Sequence, residues 1–235
     1  AEDTNSVNAT KPVLPSLEQN IFYGNSLIDS GKVKKKLDRE IINPFDFSKL
    51  KFDVIVGNPP YMKSEDMKNF TPLELPIYKT SYTSAYKQFD KYFLFIEQGL
   101  NLLTKDGVLG YIVPSKFAKV GAGKKLRELL SSKGYLHSII SFGANQVFTD
   151  KTTYTCLLTL KNSNSKTFEF TEIKSLKKWK VRDTKAIKYD TKSTSLLDSD
   201  VWVLVPSDLK NAYDKITNQS IKLNDLVGAD NIFNG

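Results

Sequence analysis

FDVIVGNPPY, residues 52–61, changes character halfway along its length. Phe52-Asp53-Val54-Ile55-Val56 is apolar and β-branched over the length of a strand, and Gly57 bounds it. Asn58-Pro59-Pro60-Tyr61 cannot prolong that strand. Two prolines remove two backbone donors and lock φ, so the chain must leave the sheet as a stiff extended loop. The loop carries an amide side chain, an outward-facing carbonyl and an aromatic ring in fixed relation.

Those three groups suit one chemical task. An exocyclic amino group conjugated to a ring is a poor nucleophile, because its lone pair is delocalised. Two acceptors set against its N–H bonds, Asn58 Oδ1 and the Pro59 carbonyl, favour the pyramidal, nucleophilic form. Tyr61 offers a stacking face for a base taken out of its helix. No strong base is needed, since the amine loses its proton after attacking an activated methyl. The plain alternative is a turn that only closes a strand. Strand, glycine and tetrapeptide together favour the site.

The tetrapeptide resembles motif IV, Asp/Asn/Ser-Pro-Pro-Tyr/Phe/Trp, of the amino-methyltransferases. The rest of the chain is similar to the TaqI-like adenine-N6 DNA methyltransferases of type II restriction–modification systems, free-standing or fused to an endonuclease. Protein-glutamine and some ribosomal-RNA methyltransferases also carry Asn-Pro-Pro-Tyr, so the substrate rests on the other segments. The resemblance implies an α/β, Rossmann-like class I fold that uses S-adenosylmethionine and acts on double-stranded DNA. It gives Asn58 and Pro59 the target amino group, and Tyr61 and Phe148 the two faces of the flipped base. Asn25, Pro60 and Phe95 fall to the cofactor.

Composition sets the bounds. The chain has 235 residues, 40% hydrophobic and 11% aromatic, enough for one large domain or one domain and part of another. No run approaches a membrane span and no N-terminal signal pattern is present, which points to a soluble cytoplasmic protein. One cysteine, Cys156 in the apolar run 154–160, excludes an internal disulfide and reads as a buried thiol. One histidine, His137, gives a triad or a metal site little to build on. A net charge of +8 fits a polyanionic partner.

Along the chain, 1–19 reads as a loose arm and 20–23 as a short strand ending at Gly24. Asn25 follows, where the resemblance expects the residue on the cofactor's adenine amino group; an ordinary turn residue is the equal alternative. Asp29 reads as a loop or capping residue. Lys32 to Arg39 is a solvated basic face by default. Residues 62–87, with Pro72 and Pro76 and little periodicity, read as a long connection, which in a compact domain is functional or mobile. Phe89, Tyr92, Phe93, Ile96, Leu100 and Leu103 predict an amphipathic helix over 88–103, with Phe95 just off the stripe. A turn at 104–107 and a strand over 108–113 follow.

The run from Ala118 to Lys125 lacks the spacing of a phosphate loop and reads as the entry to a helix over 124–130. Strands are expected over 136–142, 154–160 and 168–173. The polar loop between the first two carries Phe148, a hydrophobic plug on the plain reading. Lysines from Lys174 to Lys188 around Trp179 suit a DNA backbone track or a solvated linker. The expected division is 1–173, the C-terminal part of a catalytic domain, and 174–235, a basic connector opening a target-recognition region.

The family's Gly-rich cofactor loop, and the acidic residue that ends its second strand, have no counterpart before Phe52. With the family's sheet order of 3-2-1-4-5-7-6, strands one and two are expected to be lacking. That would leave 53–56 as an exposed hydrophobic edge inviting self-association, and the 235 residues inactive alone. A protein-glutamine or RNA amino-methyltransferase, and a non-catalytic DNA-binding or assembly module, are the competing readings.

Overall fold

The computed structural model describes residues 20–32, 45–148, 153–180 and 187–221. The chain divides into two compact units, Ala1–Lys49 and Leu50–Gly235. Within the first, Asp29 ties two segments together: its carboxylate accepts from the Gly31 N–H at 2.9 Å and the Phe47 N–H at 2.8 Å. The strand expected over 20–23 does not form. Ile21, Phe22 and Tyr23 are 69%, 61% and 82% exposed, and no described strand lies beside them. A strand without a ladder partner gains no hydrogen bond that water does not already supply.

The second unit is a mixed α/β layer built on one six-stranded sheet. Its strands are β1 (Phe52–Gly57), β2 (Leu103–Pro114), β3 (Leu136–Ser141), β4 (Thr155–Lys161), β5 (Thr167–Glu172) and β6 (Asp190–Ser193). They lie in the order β1-β2-β4-β3-β5-β6. β1 and β2 run parallel, β4 is inserted antiparallel between β2 and β3, and β3 and β5 run parallel. The first four strands reproduce the 4-5-7-6 half of the expected sheet order. β6 was not foreseen; its sequence, DTKS, carries no apolar alternation, and it pairs as an edge strand of half-exposed and exposed residues.

β1 forms the opposite edge. Val54 and Val56 are 65% and 77% exposed, so the apolar edge anticipated from the sequence stands open among the described residues. The turn expected at 104–107 does not form: these residues run on as part of β2, with a bulge against β1 in its place. The register with β1 shifts between Phe52↔Leu103 and Val54↔Val108, and Asp106 takes φ +64° to make the bend. Thr104 Oγ1 donates to Asp53 Oδ1 at 2.7 Å across it.

Helix α3 (Lys91–Leu102) covers the sheet with the predicted stripe: Phe89, Tyr92, Phe93, Ile96, Leu100 and Leu103 are all buried. The 62–87 segment is not a plain loop. It contains α1 (Ser64–Phe70) and α2 (Glu74–Ser81), too short to show a period in sequence, with Pro76 in the first turn of α2 where its missing N–H costs nothing. α3 pins this segment. Glu97, buried, accepts from the Thr83 and Ser84 N–H groups at 3.0 and 2.7 Å. Lys91 meets Glu74 at 3.0 Å, and the Tyr78 hydroxyl donates to the same carboxylate at 2.7 Å.

The remaining helices are α4 (Lys124–Ser132), α5 (Leu176–Lys180) and α6 (Ser207–Gln219). No helix among the described residues is long and apolar enough to cross a membrane.

Cys156 lies within β4, 1% exposed, and burial pushes its thiol up to about 12. The thiolate is the reactive form, so native protein should resist an aromatic disulfide reagent and react fully once unfolded in denaturant. Rapid stoichiometric labelling of native protein would contradict the buried placement.

Candidate active site

Parallel pairing of β1 and β2 brings Gly57 beside Tyr111, so both strands end on the same side of the sheet. The Asn58–Tyr61 loop leaves from there. Because β4 is antiparallel, it begins at that side, with Thr155 opposite Pro114 and Cys156 opposite both Val113 and Ser141. The β3–β4 loop carrying Phe148 therefore departs from the same side as Asn58. Asn145 anchors its root, donating to the Phe142 carbonyl at 3.0 Å and the Ile173 carbonyl at 2.7 Å. Phe148 itself is half-buried and makes no ring contact with Tyr61.

Within the loop, Asn58 and Pro60 are exposed, Pro59 is buried and Tyr61 is half-buried. The Tyr61 hydroxyl lies 2.9 Å from Asn58 Oδ1 and 2.9 Å from the Ile112 carbonyl of β2. Its ring meets Tyr92 edge-on at 6.0 Å, and the Tyr92 hydroxyl donates to the Pro114 carbonyl at 3.1 Å. Burial, with Cys156 and Asp90 adding to it, pushes the Tyr61 phenol up to about 12, so it stays neutral at working pH.

Beyond Tyr61 the loop is stitched to α3. The Lys91 N–H bonds the Met62 carbonyl at 2.8 Å and the Ser64 N–H bonds the Phe89 carbonyl at 2.8 Å. Asp90, buried between them, pairs through Oδ2 with Lys116 at 2.7 Å, while its Oδ1 has no partner in the structure. The pair borders a 730 Å³ cavity with Lys63, Lys87 and Phe93. Sequence reading missed Tyr92, Asp90 and Lys116. Tyr92 looked like plain core, and an isolated Asp or Lys carries no spacing signal.

The three residues that the resemblance gives to the cofactor are divided between the two units of the chain. Phe95, half-buried on α3, and the exposed Pro60 offer apolar surface on the second unit that suits an adenine ring. Asn25 lies in the first unit, where its Oδ1 accepts from the Leu27 N–H at 2.9 Å as a turn residue does. The amide carbonyl has a second lone pair, so this bond does not exclude a further donor.

Comparison with known proteins gives this geometry its context. The chain is 52% identical to the type II restriction enzyme and methyltransferase RM.Eco57I of Escherichia coli, over 100% of its own length and 23% of that protein's. It is 26% identical to the type II methyltransferase M.HincII of Haemophilus influenzae, over 88% of this chain and 44% of that one. It thus spans less than half the length of either relative. Among solved structures, the type IIG restriction endonuclease BpuSI shares the fold with a TM-score of 0.51, at 18% identity, covering 76% of this chain and 24% of its own. The Eco57I restriction-modification methylase model matches residues 4–148, more than half the chain. This chain belongs to the Eco57I restriction-modification methylase family.

Proposed function

We propose that this chain supplies the methyl-acceptor half of an adenine-N6 DNA methyltransferase. The observation that carries the reading is the loop Asn58–Tyr61, held rigid at the strand ends on the side from which the Phe148 loop also departs. Asn58 Oδ1 and the Pro59 carbonyl accept the two N–H bonds of the target amine, while Tyr61 and Phe148 close on the faces of the extruded ring. S-adenosylmethionine, when bound, supplies the activated methyl group. Phe95 and Pro60 would hold its adenine ring on the second unit, and Asn25, on the first, is the residue the resemblance gives to its amino group. The chain's own residues orient the amine and exclude water; the half-buried, neutral Tyr61 takes no proton.

Double-stranded DNA is the substrate on this reading, consistent with the excess of lysine and arginine and with the lysine-bordered surface beside the loop. Residues 174–235 would carry the chain toward target recognition. The open β1 edge would pair with further chain, or with a second copy where none is present.

The test is product analysis. The full-length enzyme should convert adenine in duplex DNA to N6-methyladenine, identified after hydrolysis by mass spectrometry. Methyl recovered on cytosine, on RNA or on glutamine side chains would refute the reading. Phe148→Ala should weaken capture of the extruded base by about 1–3 kcal/mol, with a properly paired target affected more than a mismatched one. Single-turnover assays on paired and mismatched duplexes measure that difference.

A further inference from the structure

The Tyr61 hydroxyl has one proton and two close oxygen-side neighbours, Asn58 Oδ1 and the Ile112 carbonyl, both at 2.9 Å. One proton cannot serve two acceptors. If it points to Asn58 Oδ1, two lone pairs face each other at the Ile112 carbonyl with nothing between them. If it points to Ile112, the Asn58 amide must turn its NH₂ end toward the phenol, and both contacts become true hydrogen bonds. The second arrangement satisfies every group, and the two ends of a side-chain amide are told apart by just such partners.

We infer that the Tyr61 hydroxyl is the positioning group that fixes the orientation of the Asn58 amide, and so selects an amino-bearing base over a carbonyl-bearing one. The chain of donors runs from Asn58 Nδ2–H to Tyr61 Oη–H to the Ile112 carbonyl. Its polarity is set by β2, whose carbonyl can only accept. Asn58 Oδ1 is thereby left facing away from the phenol, as an acceptor beside the Pro59 carbonyl. Two acceptors match an exocyclic amine, which has two N–H bonds, and repel a ring carbonyl. The opposite amide orientation would present a donor and lose that discrimination. The neutrality of Tyr61 keeps the relay intact across working pH. Stacking and amide orientation are thus separate duties of one residue: the ring does the first and the hydroxyl the second.

The inference rests on the adenine reading above for the identity of the base, but its first test does not. In the 235-residue chain, nuclear Overhauser contacts should link the Asn58 δ-NH₂ protons to the Tyr61 ring ε-protons, with one amide proton slow to exchange. Tyr61→Phe should abolish that protection. Absence of these contacts in the unaltered protein would overturn the inference.

In the full-length enzyme, duplexes carrying adenine or hypoxanthine at the target should be compared by competition binding. Tyr61→Phe keeps the ring and should lower adenine-over-hypoxanthine preference about tenfold, the scale of one hydrogen bond. The cost of breaking each base pair is common to both proteins and cancels in that ratio. In an Asn58→Asp background the same change should leave the ratio unaltered, because a carboxylate presents an acceptor either way round. An unchanged ratio for Tyr61→Phe in the Asn58 enzyme sinks the orienting role while the product analysis still stands. Methyl found on another atom sinks the base reading while the Asn58–Tyr61 contacts still stand.

Discussion

Asn58→Ala is expected to lower the single-turnover rate of methyl transfer by about 10²–10³-fold, roughly 3–4 kcal/mol of lost transition-state stabilisation. The argument is one of pairing. The two acceptors that the Pro-Pro loop would set against the amine are Asn58 Oδ1 from a side chain and the Pro59 carbonyl from the backbone. Removing the first leaves one amine N–H unpaired in a dry site and leaves the attacking lone pair conjugated with its ring. Binding should change little, because DNA affinity comes mainly from phosphate contacts that this side chain does not make. The expected signature is therefore a fall in rate with dissociation constants for duplex and cofactor within about threefold of the parent, a few tenths of a kcal/mol. A variant that transfers methyl at the parental rate would remove Asn58 from the reaction. One that fails to bind DNA would make it a binding residue.

The strand, the loop and the helix stripe were readable because each is a periodic or stereochemical signal confined to a few neighbouring residues. Val54 and Val56 alternate with Ile55, and the prolines then forbid a further rung of the ladder. The α3 stripe repeats at helical spacing over three turns. The parts that were not legible depend on partners distant in sequence. Asn20–Tyr23 has the residues of a strand, but strand formation is decided by what lies alongside. α1 and α2 are short; α1 is tied at its start by the Ser64 N–H to the Phe89 carbonyl, α2 by Lys91 to Glu74 17 positions away, and the chain after α2 by Glu97 to the Ser84 N–H 13 positions away. β6 has no pattern of its own and is held by pairing with β5. At the site, the resemblance gave Tyr61 a stacking role, while its hydroxyl contact with Ile112 spans 51 positions and left no trace in the motif.

Arg127 shows the same limit most sharply, and it yields the largest stability effect expected outside the apolar core. In sequence it belongs to KKLRELLSS, with Leu126 before it and Glu128 after it, and nothing in that run marks it for burial. In the structure it is 2% exposed. Its Nη1 donates to the Phe117 and Val120 carbonyls at 2.6 and 2.8 Å, and its Nε donates to the Ser199 carbonyl at 3.1 Å. Burial draws its pKa below the ordinary arginine value, with Asp200 and Asp198 opposing, yet a guanidinium stays charged at neutral pH. One side chain thus closes the turn after β2 and fastens the 198–202 segment, where Trp202 packs edge-on against Phe117 at 6.0 Å and donates from Nε1 to the Asp198 carbonyl at 2.9 Å. Arg127→Leu keeps apolar volume but leaves the Phe117 and Ser199 carbonyls without a donor and Val120 with only the Gly123 N–H, and should destabilise the fold by about 3–5 kcal/mol. Arg127→Lys, with a point charge instead of a fork, should recover only part of that loss. Urea titration followed by tryptophan fluorescence measures both, and release of Trp202 should appear at lower urea than the loss of helical circular dichroism. A leucine variant within about 0.5 kcal/mol of the parent, the range of ordinary surface changes, would show that these three bonds do not hold the segment in place.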